Sequence, residues 1–144
     1  MLIKICGIRS LAAAQTAQEA AADLIGFVFA ASRRQIDVAS AAGICKSVSG
    51  PGKVGVFVNQ PLDEVNSIAE QCQLDYIQLH GDEPAEYRRN LNRPLIRAVR
   101  VGPGFSPAAL EVETDSWLLL DSFVVGQQGG SGVAFDWQAT RQLI

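Results

Sequence analysis

"LIKICGIRSLAAAQTAQEAAADLIGFVF", residues 2–29, contains one full period of the pattern from which the chain is built. "LIKIC" (2–6) and "LIGFVF" (24–29) are short apolar runs of strand type. Between them Ser10 can cap "LAAAQTAQEAAA", whose alanines favour a helix. Both runs are almost continuously apolar, the pattern of strands buried on both faces in a parallel sheet. The first ends in Cys6-Gly7 and then a polar turn. Glycine there lets the backbone turn without a side chain crowding the strand end.

The same period recurs along the chain. Four more apolar runs follow: "KVGVFV" (53–58), "DYIQLH" (75–80), "PLIRAVRV" (94–101) and "SWLLLD" (116–121). Successive starts lie 19 to 29 residues apart, which suits strand–helix units. Helix signals fill the gaps. Asp37 can cap "VASAAGICKSV", and Pro61 occupies an expected first helical position before "LDEVNSIAEQC". Asp82 with Pro84 starts "EPAEYRRNL", Ser106 with Pro107 starts "AALEVE", and Asp136 can cap "WQATRQLI". "GPGK" (50–53) and "VGPGF" (101–105) read as turns, so residues 1–144 form a single domain. The repeat fits an open doubly wound sheet, or a (β/α)8 barrel, which normally needs roughly 200 residues or more. Spacing alone leaves both open.

Composition narrows the function classes. The 144 residues are 48% hydrophobic and 19% charged, as expected of a globular domain with a sizeable core. A net charge of -3 with no basic stripe argues against a nucleic-acid partner. Three well-separated cysteines and a single histidine suit neither a disulfide framework nor a zinc or His-rich metal site. Cys45 and Cys72 fall within helical patterns and read as buried structural residues. Lys4 interrupts the first apolar run, so no signal peptide is expected. No apolar segment approaches the roughly 18 residues of a membrane span. The expected compartment is reducing and cytoplasmic, with no membrane partner.

In either architecture ligands gather at the carboxyl ends of the strands. Those ends carry Cys6, the pair Arg33–Arg34, Asn59 with Gln60, His80, Arg100 and Asp121. A thiol, guanidiniums, an imidazole and a carboxylate thus converge on one rim. Cys6 as a base or nucleophile would act as its thiolate. Asp121 ends the apolar "LLL" and is partly desolvated there, which suits a carboxyl group to proton donation. Arg34 can grip a carboxylate or phosphate with two hydrogen bonds. The backbone of "GGSG" (129–132), with Gly130 and Gly132, can wrap an anion, although the Lys-Ser/Thr of a phosphate-binding P-loop is absent. No GxGxxG follows a strand, which argues against a dinucleotide-binding module.

"KICGIRS", "DLIGFVFAASRRQI", "VGVFVNQ", "YIQLHGDE", "WLLLDS" and "GGSGVAFDW" occur in that order. Together they resemble the phosphoribosylanthranilate isomerases of tryptophan biosynthesis, from residue 2 to about 138. The resemblance selects the (β/α)8 barrel. It implies an Amadori rearrangement of N-(5'-phosphoribosyl)anthranilate to 1-(2-carboxyphenylamino)-1-deoxyribulose 5-phosphate, with no metal or organic cofactor. By position, Cys6 matches the general base, Asp121 the general acid, and Arg34 the arginine that holds the anthranilate carboxylate. Gly130 and Gly132 fall in the substrate-binding loop. His80 is counted with the substrate-binding positions, where a structural or supporting role is expected of it. A cysteine rather than an aspartate after the first strand argues against the related isomerase of histidine biosynthesis.

Members of that family continue with a seventh and an eighth strand–helix unit, which carry most of the phosphate grip. The 144 residues hold about six of the eight units, as in a C-terminally truncated barrel, a natural short form, or one half of a complementing pair. Self-association through open barrel edges is expected of such a chain, as is weak or absent turnover in isolation. The alternative function is a catalytically impaired or non-catalytic barrel fragment of the same family.

Overall fold

The computed structural model describes residues 2–107, 116–122, 134 and 137–143. Six strands form one parallel sheet: β1 (Lys4–Cys6), β2 (Leu24–Val28), β3 (Gly52–Phe57), β4 (Tyr76–Leu79), β5 (Leu95–Val101) and β6 (Ser116–Ser122). Their spatial order is β1-β2-β3-β4-β5-β6. This order decides the architecture. In a doubly wound sheet the order reverses at a switch point, which puts helices on both faces. Here every strand adds to the same edge. Right-handed crossovers that always step the same way place their helices on one face. The result is the wall of a (β/α)8-type barrel, six strands wide.

Four helices connect the first five strands: α1 (Leu11–Glu19), α2 (Val38–Ser47), α3 (Leu62–Gln71) and α4 (Ala85–Arg89). Ser10 and Asp37 cap α1 and α2, their side chains accepting from the Ala13 and Ser40 N–H groups. Pro61 sits one position earlier than expected, as the cap residue of α3; Pro84 is the cap residue of α4, and neither helix has a side-chain cap. Proline's fixed φ suits an extended cap as well as a first helical turn. Asp82 does not cap α4 but faces Arg100, 3.3 Å away. The segment "WQATRQL" forms a 3-10 helix, Trp137–Leu143, rather than the expected α-helix. The helix expected over 108–113 and the Asp136 cap lie outside the described residues. Among the described residues no helix is long and apolar enough to cross a membrane.

The two faces of the sheet are both apolar, as the unbroken strand runs require. Outward-facing Ile25, Phe27, Phe57, Ile77, Leu79 and Leu95 bury against Ala14 and Ala17 of α1, Ala41 and Ile44 of α2, and Val65 and Ile68 of α3. The rings of Phe29 and Phe57 stack with centroids 5.2 Å apart. Each fully buried side chain of this size contributes roughly 1.5–3 kcal/mol. Alanines on the buried stripe of α1 let its backbone lie close to the sheet. Inside the barrel wall a smaller cluster of Leu24, Val54 and Ile96, with Tyr76 and Leu119, fills the lower end.

One device appears twice. α1 and α3 both end in a left-handed residue, Ala21 (φ 55) and Gln73 (φ 50). In each, the next N–H reaches back five residues, from Ala22 to Ala17 O and from Leu74 to Ala69 O, as in a Schellman cap. An aspartate follows immediately. Asp23 Oδ2 accepts from the Ile3 N–H and Asp75 Oδ2 from the Lys53 N–H, both at 2.7 Å. Each carboxylate staples the start of the preceding strand to the strand that it leads into.

Candidate active site

Alternation along the strands decides which side chains enter the barrel. The pairing Lys4↔Leu24 and Cys6↔Gly26 puts Lys4 and Cys6 on the face of Leu24, inside the wall. Gln78 is level with Ile96, and Asp121 lies two residues beyond Leu119, on the same inner face. The interior therefore changes from apolar at the amino ends of the strands to polar at their carboxyl ends.

Cys6 closes β1 and is exposed. A Cβ at Gly26 would lie 2.8 Å from its sulfur, so Gly26 supplies the space that the thiol occupies. The Lys4 ammonium group donates to Cys6 Sγ at 3.4 Å and to Gln78 Oε1 at 2.6 Å. Gln78 is 3% exposed and reaches His80 Nδ1 through Nε2 at 3.2 Å. His80 Nε2 meets Asp121 Oδ2 at 3.0 Å, and Asp121 Oδ1 accepts from the Ser122 N–H at 2.9 Å. A continuous polar chain thus runs from the thiol on β1, across Gln78 of β4 and His80 just beyond it, to the carboxylate on β6.

Arg34 reaches the same rim from the loop after β2. Gly7 has φ +90, and a Cβ there would fall 2.7 Å from Arg34 Cδ. The glycine thus serves two needs, the left-handed turn after Cys6 and passage of the arginine stem over it. The loop is tied down on both sides. Arg34 N–H donates to Ser32 Oγ, Arg9 donates to the Arg33 carbonyl, and Gln35 donates to the Phe29 carbonyl.

Cys45 and Cys72 are buried, as expected of structural cysteines. Burial pushes the Cys45 thiol up to about 12, with the neighbouring Cys72 adding to the shift, and burial also raises Cys72. Asn59, after β3, adopts φ 53 and binds Glu83 through its N–H while its side chain accepts from the Asp82 N–H. Arg100 donates to the His80 carbonyl and to Asp82. These two strand ends buttress the loop after β4. A cavity of about 410 Å³ opens beside them, lined by Gly81, Asp82, Glu83, Arg97 and Arg100 among others; Cys6, His80 and Asp121 do not line it.

The structure thus joins Cys6, His80 and Asp121 in one network and lays Arg34 against Gly7, next to the thiol. Gly130 and Gly132 lie outside the described residues. Lys4 and Gln78 were not singled out in the sequence. The signal was their offset: each stands two residues before a rim residue, and so on the same face of its strand.

A sequence model of the family described as N-(5'phosphoribosyl)anthranilate (PRA) isomerase matches residues 3–143. The chain belongs to this family. It is similar to the N-(5'-phosphoribosyl)anthranilate isomerase of Moorella thermoacetica, 43% identical over 141 residues that cover 96% of this chain. It spans 63% of that relative's length. Among solved structures it is similar to the phosphoribosyl anthranilate isomerase of Thermus thermophilus, with a TM-score of 0.87 and 33% identity. That match covers 99% of this chain and 71% of the other. A further isomerase structure, a complex with reduced 1-(o-carboxyphenylamino)-1-deoxyribulose 5-phosphate, matches with a TM-score of 0.72 and 33% identity. It covers 85% of this chain and 66% of the other. The family's barrel agrees with the strand order found here.

Proposed function

We propose that the chain carries the acid–base half of a phosphoribosylanthranilate isomerase site, acting on N-(5'-phosphoribosyl)anthranilate. The observation that carries this reading is the chain of contacts between the Cys6 thiol and the Asp121 carboxyl across the inside of one barrel wall. An aldose-to-ketose rearrangement needs an acid and a base acting on adjacent parts of one sugar, and no net oxidation. Asp121 gives a proton to the furanose ring oxygen. The C1–O bond breaks as the anilino nitrogen lone pair forms C1=N, leaving an iminium ion. Cys6, as thiolate, takes the proton from C2, and that electron pair neutralises the iminium to an enolamine. Tautomerisation, with loss of the enol O–H proton and gain of a proton at C1, gives the ketone. Arg34 holds the anthranilate carboxylate beside the thiol. Gly130 and Gly132 bind substrate through their backbone N–H groups.

The test is loss of substrate fluorescence catalysed by the protein as encoded. Abolition of turnover by Cys6→Ser and by Asp121→Asn, each with retained fold, is the expected result. Undiminished turnover in either variant overturns the assignment of that residue. In the 144-residue chain β1 and β6 are the outermost strands of the described sheet, and both are rich in apolar side chains. Self-association of this chain is expected to run through those edges. A sedimenting species of one-chain mass at micromolar concentration would remove that part of the reading.

A further inference from the structure

The contacts between Lys4, Gln78, His80 and Asp121 have a direction that is fixed by their chemistry. An ammonium group only donates. At 2.6 Å from Lys4 Nζ, the Gln78 atom must therefore be its carbonyl oxygen. The reverse amide orientation would set two donors against each other. With Oε1 committed to Lys4, the Gln78 NH2 group faces His80 Nδ1 at 3.2 Å. That group also only donates, so Nδ1 must offer its lone pair. The ring proton of the neutral imidazole then sits on Nε2, directed at Asp121 Oδ2 at 3.0 Å. Every donor in the row meets an acceptor in only one arrangement, and any other leaves a polar group unsatisfied in a largely buried site. His80 and Asp121 have side chains only 13% and 20% exposed, so water replaces these partners poorly.

We propose that Lys4 and Gln78 are positioning residues that lock His80 as the Nε2–H tautomer, so that the ring donates to Asp121 throughout the reaction. This rests on the acid role of Asp121 given above. A hydrogen bond to a carboxylate is stronger than one to a carboxylic acid. The Nε2–H bond therefore tightens as Asp121 gives up its proton to the ring oxygen, an interaction stronger in the transition state than in the ground state. Lys4 thereby serves both ends of the site, since the same ammonium group that touches Cys6 also sets the orientation of the amide that orients the histidine.

The chain has a single histidine, so the imidazole nitrogens give one unambiguous set of signals in a long-range proton–nitrogen NMR experiment. At about pH 8 the wild type should show Nε2 protonated and Nδ1 bare. Gln78→Glu turns the donor facing Nδ1 into an acceptor and should move a proton onto Nδ1. Lys4→Met frees the amide to turn and should give a mixture of tautomers, whereas Lys4→Arg, which still donates, should restore the wild-type pattern. A wild type protonated at Nδ1 overturns the proposal. So does a Gln78→Glu or Lys4→Met protein with the wild-type pattern. Should Gln78→Glu fail to fold, the Lys4 pair decides. Kinetically, Gln78→Glu and Lys4→Met should lower kcat about tenfold with little change in KM, a fraction of what general acid catalysis supplies. If the protein as encoded fails to turn over the proposed substrate, the function reading fails while the nitrogen spectra still decide the tautomer.

Discussion

A methyl group on Gly26 would lie 2.8 Å from the sulfur of Cys6 and 3.2 Å from Lys4 Cε. The smallest side chain on β2 is therefore the one opposite the thiol. Gly26→Ala should push the sulfur aside while leaving the sheet intact. Displacement of a reacting group by about 1 Å can cost on the order of a hundredfold in rate. The expected outcome is a fall of tenfold or more, roughly within that bound, with an unchanged circular dichroism spectrum. Wild-type turnover in Gly26→Ala would remove the steric argument.

Gly7 should be intolerant for two separable reasons. Its φ of +90 strains any other residue, and a Cβ would meet the Arg34 stem. Gly7→Ala is expected to cost about 1–2 kcal/mol in urea unfolding and to raise KM as Arg34 is displaced. Arg34→Met keeps the stem but removes the guanidinium, so with Gly7 in place it should raise KM without the stability loss, which separates strain from binding.

The cysteines should differ sharply in reactivity. Cys6 is exposed, whereas Cys45 and Cys72 are buried and their thiols are pushed up by desolvation. Iodoacetamide at mildly alkaline pH should add one group per folded chain, and mass mapping should place it on Cys6. In urea all three should react. Labelling of Cys45 or Cys72 in the folded protein at a rate comparable to Cys6 would contradict the described packing.

Cys45 also makes stability depend on pH in a definite direction. Its thiol is raised from 9.0 to about 12 by burial. Below about pH 9 both folded and unfolded chains keep the proton, and the contribution is fully present. Between 9.0 and about 12 the unfolded chain ionises while the folded one does not, so stability falls as pH rises. Tyr87, raised from 10.0 to about 12 by burial and by Glu83 and Glu64, acts in the same sense over the upper part of that range. Urea midpoints measured across this range should decline less steeply in Cys45→Ala than in the wild type. Parallel curves would rule Cys45 out as a contributor.

The aspartate staples give a last test. Asp75→Ala removes the acceptor for the Lys53 N–H and is expected to cost about 1 kcal/mol. Asp23→Ala should cost a similar amount through Ile3. Because the two sites lie in separate units, the double variant should lose nearly the sum.

The strands were legible almost to the residue, because a strand buried on both faces leaves an unbroken apolar run such as "LIGFVF". The capped helices α1 and α2 were equally plain at Ser10 and Asp37. The spacing of the runs could not choose between barrel and open sheet, since crossover length does not encode the direction in which each strand is added. Lys4 stood out only as a break in an apolar run, and Gln78 not at all. Their meaning lies in which face of a strand they occupy and in what stands opposite. Nor did Ala21 and Gln73 signal a left-handed turn, because neither glycine nor asparagine marks the place. Only the hydrogen bonds that close each helix require it.

Those closures also bear on how the chain comes to be folded. The staples from Asp23 and Asp75 span only 20 and 22 residues, and each strand's partners are its neighbours in sequence. Pairing between sequence neighbours keeps each closing loop short, and closure entropy grows with loop length. A chain emerging from the ribosome can therefore lay down the wall in the order in which it is translated. Each new strand finds its docking edge already made, and Cys6, on the first strand, waits for Asp121, on the sixth, to arrive.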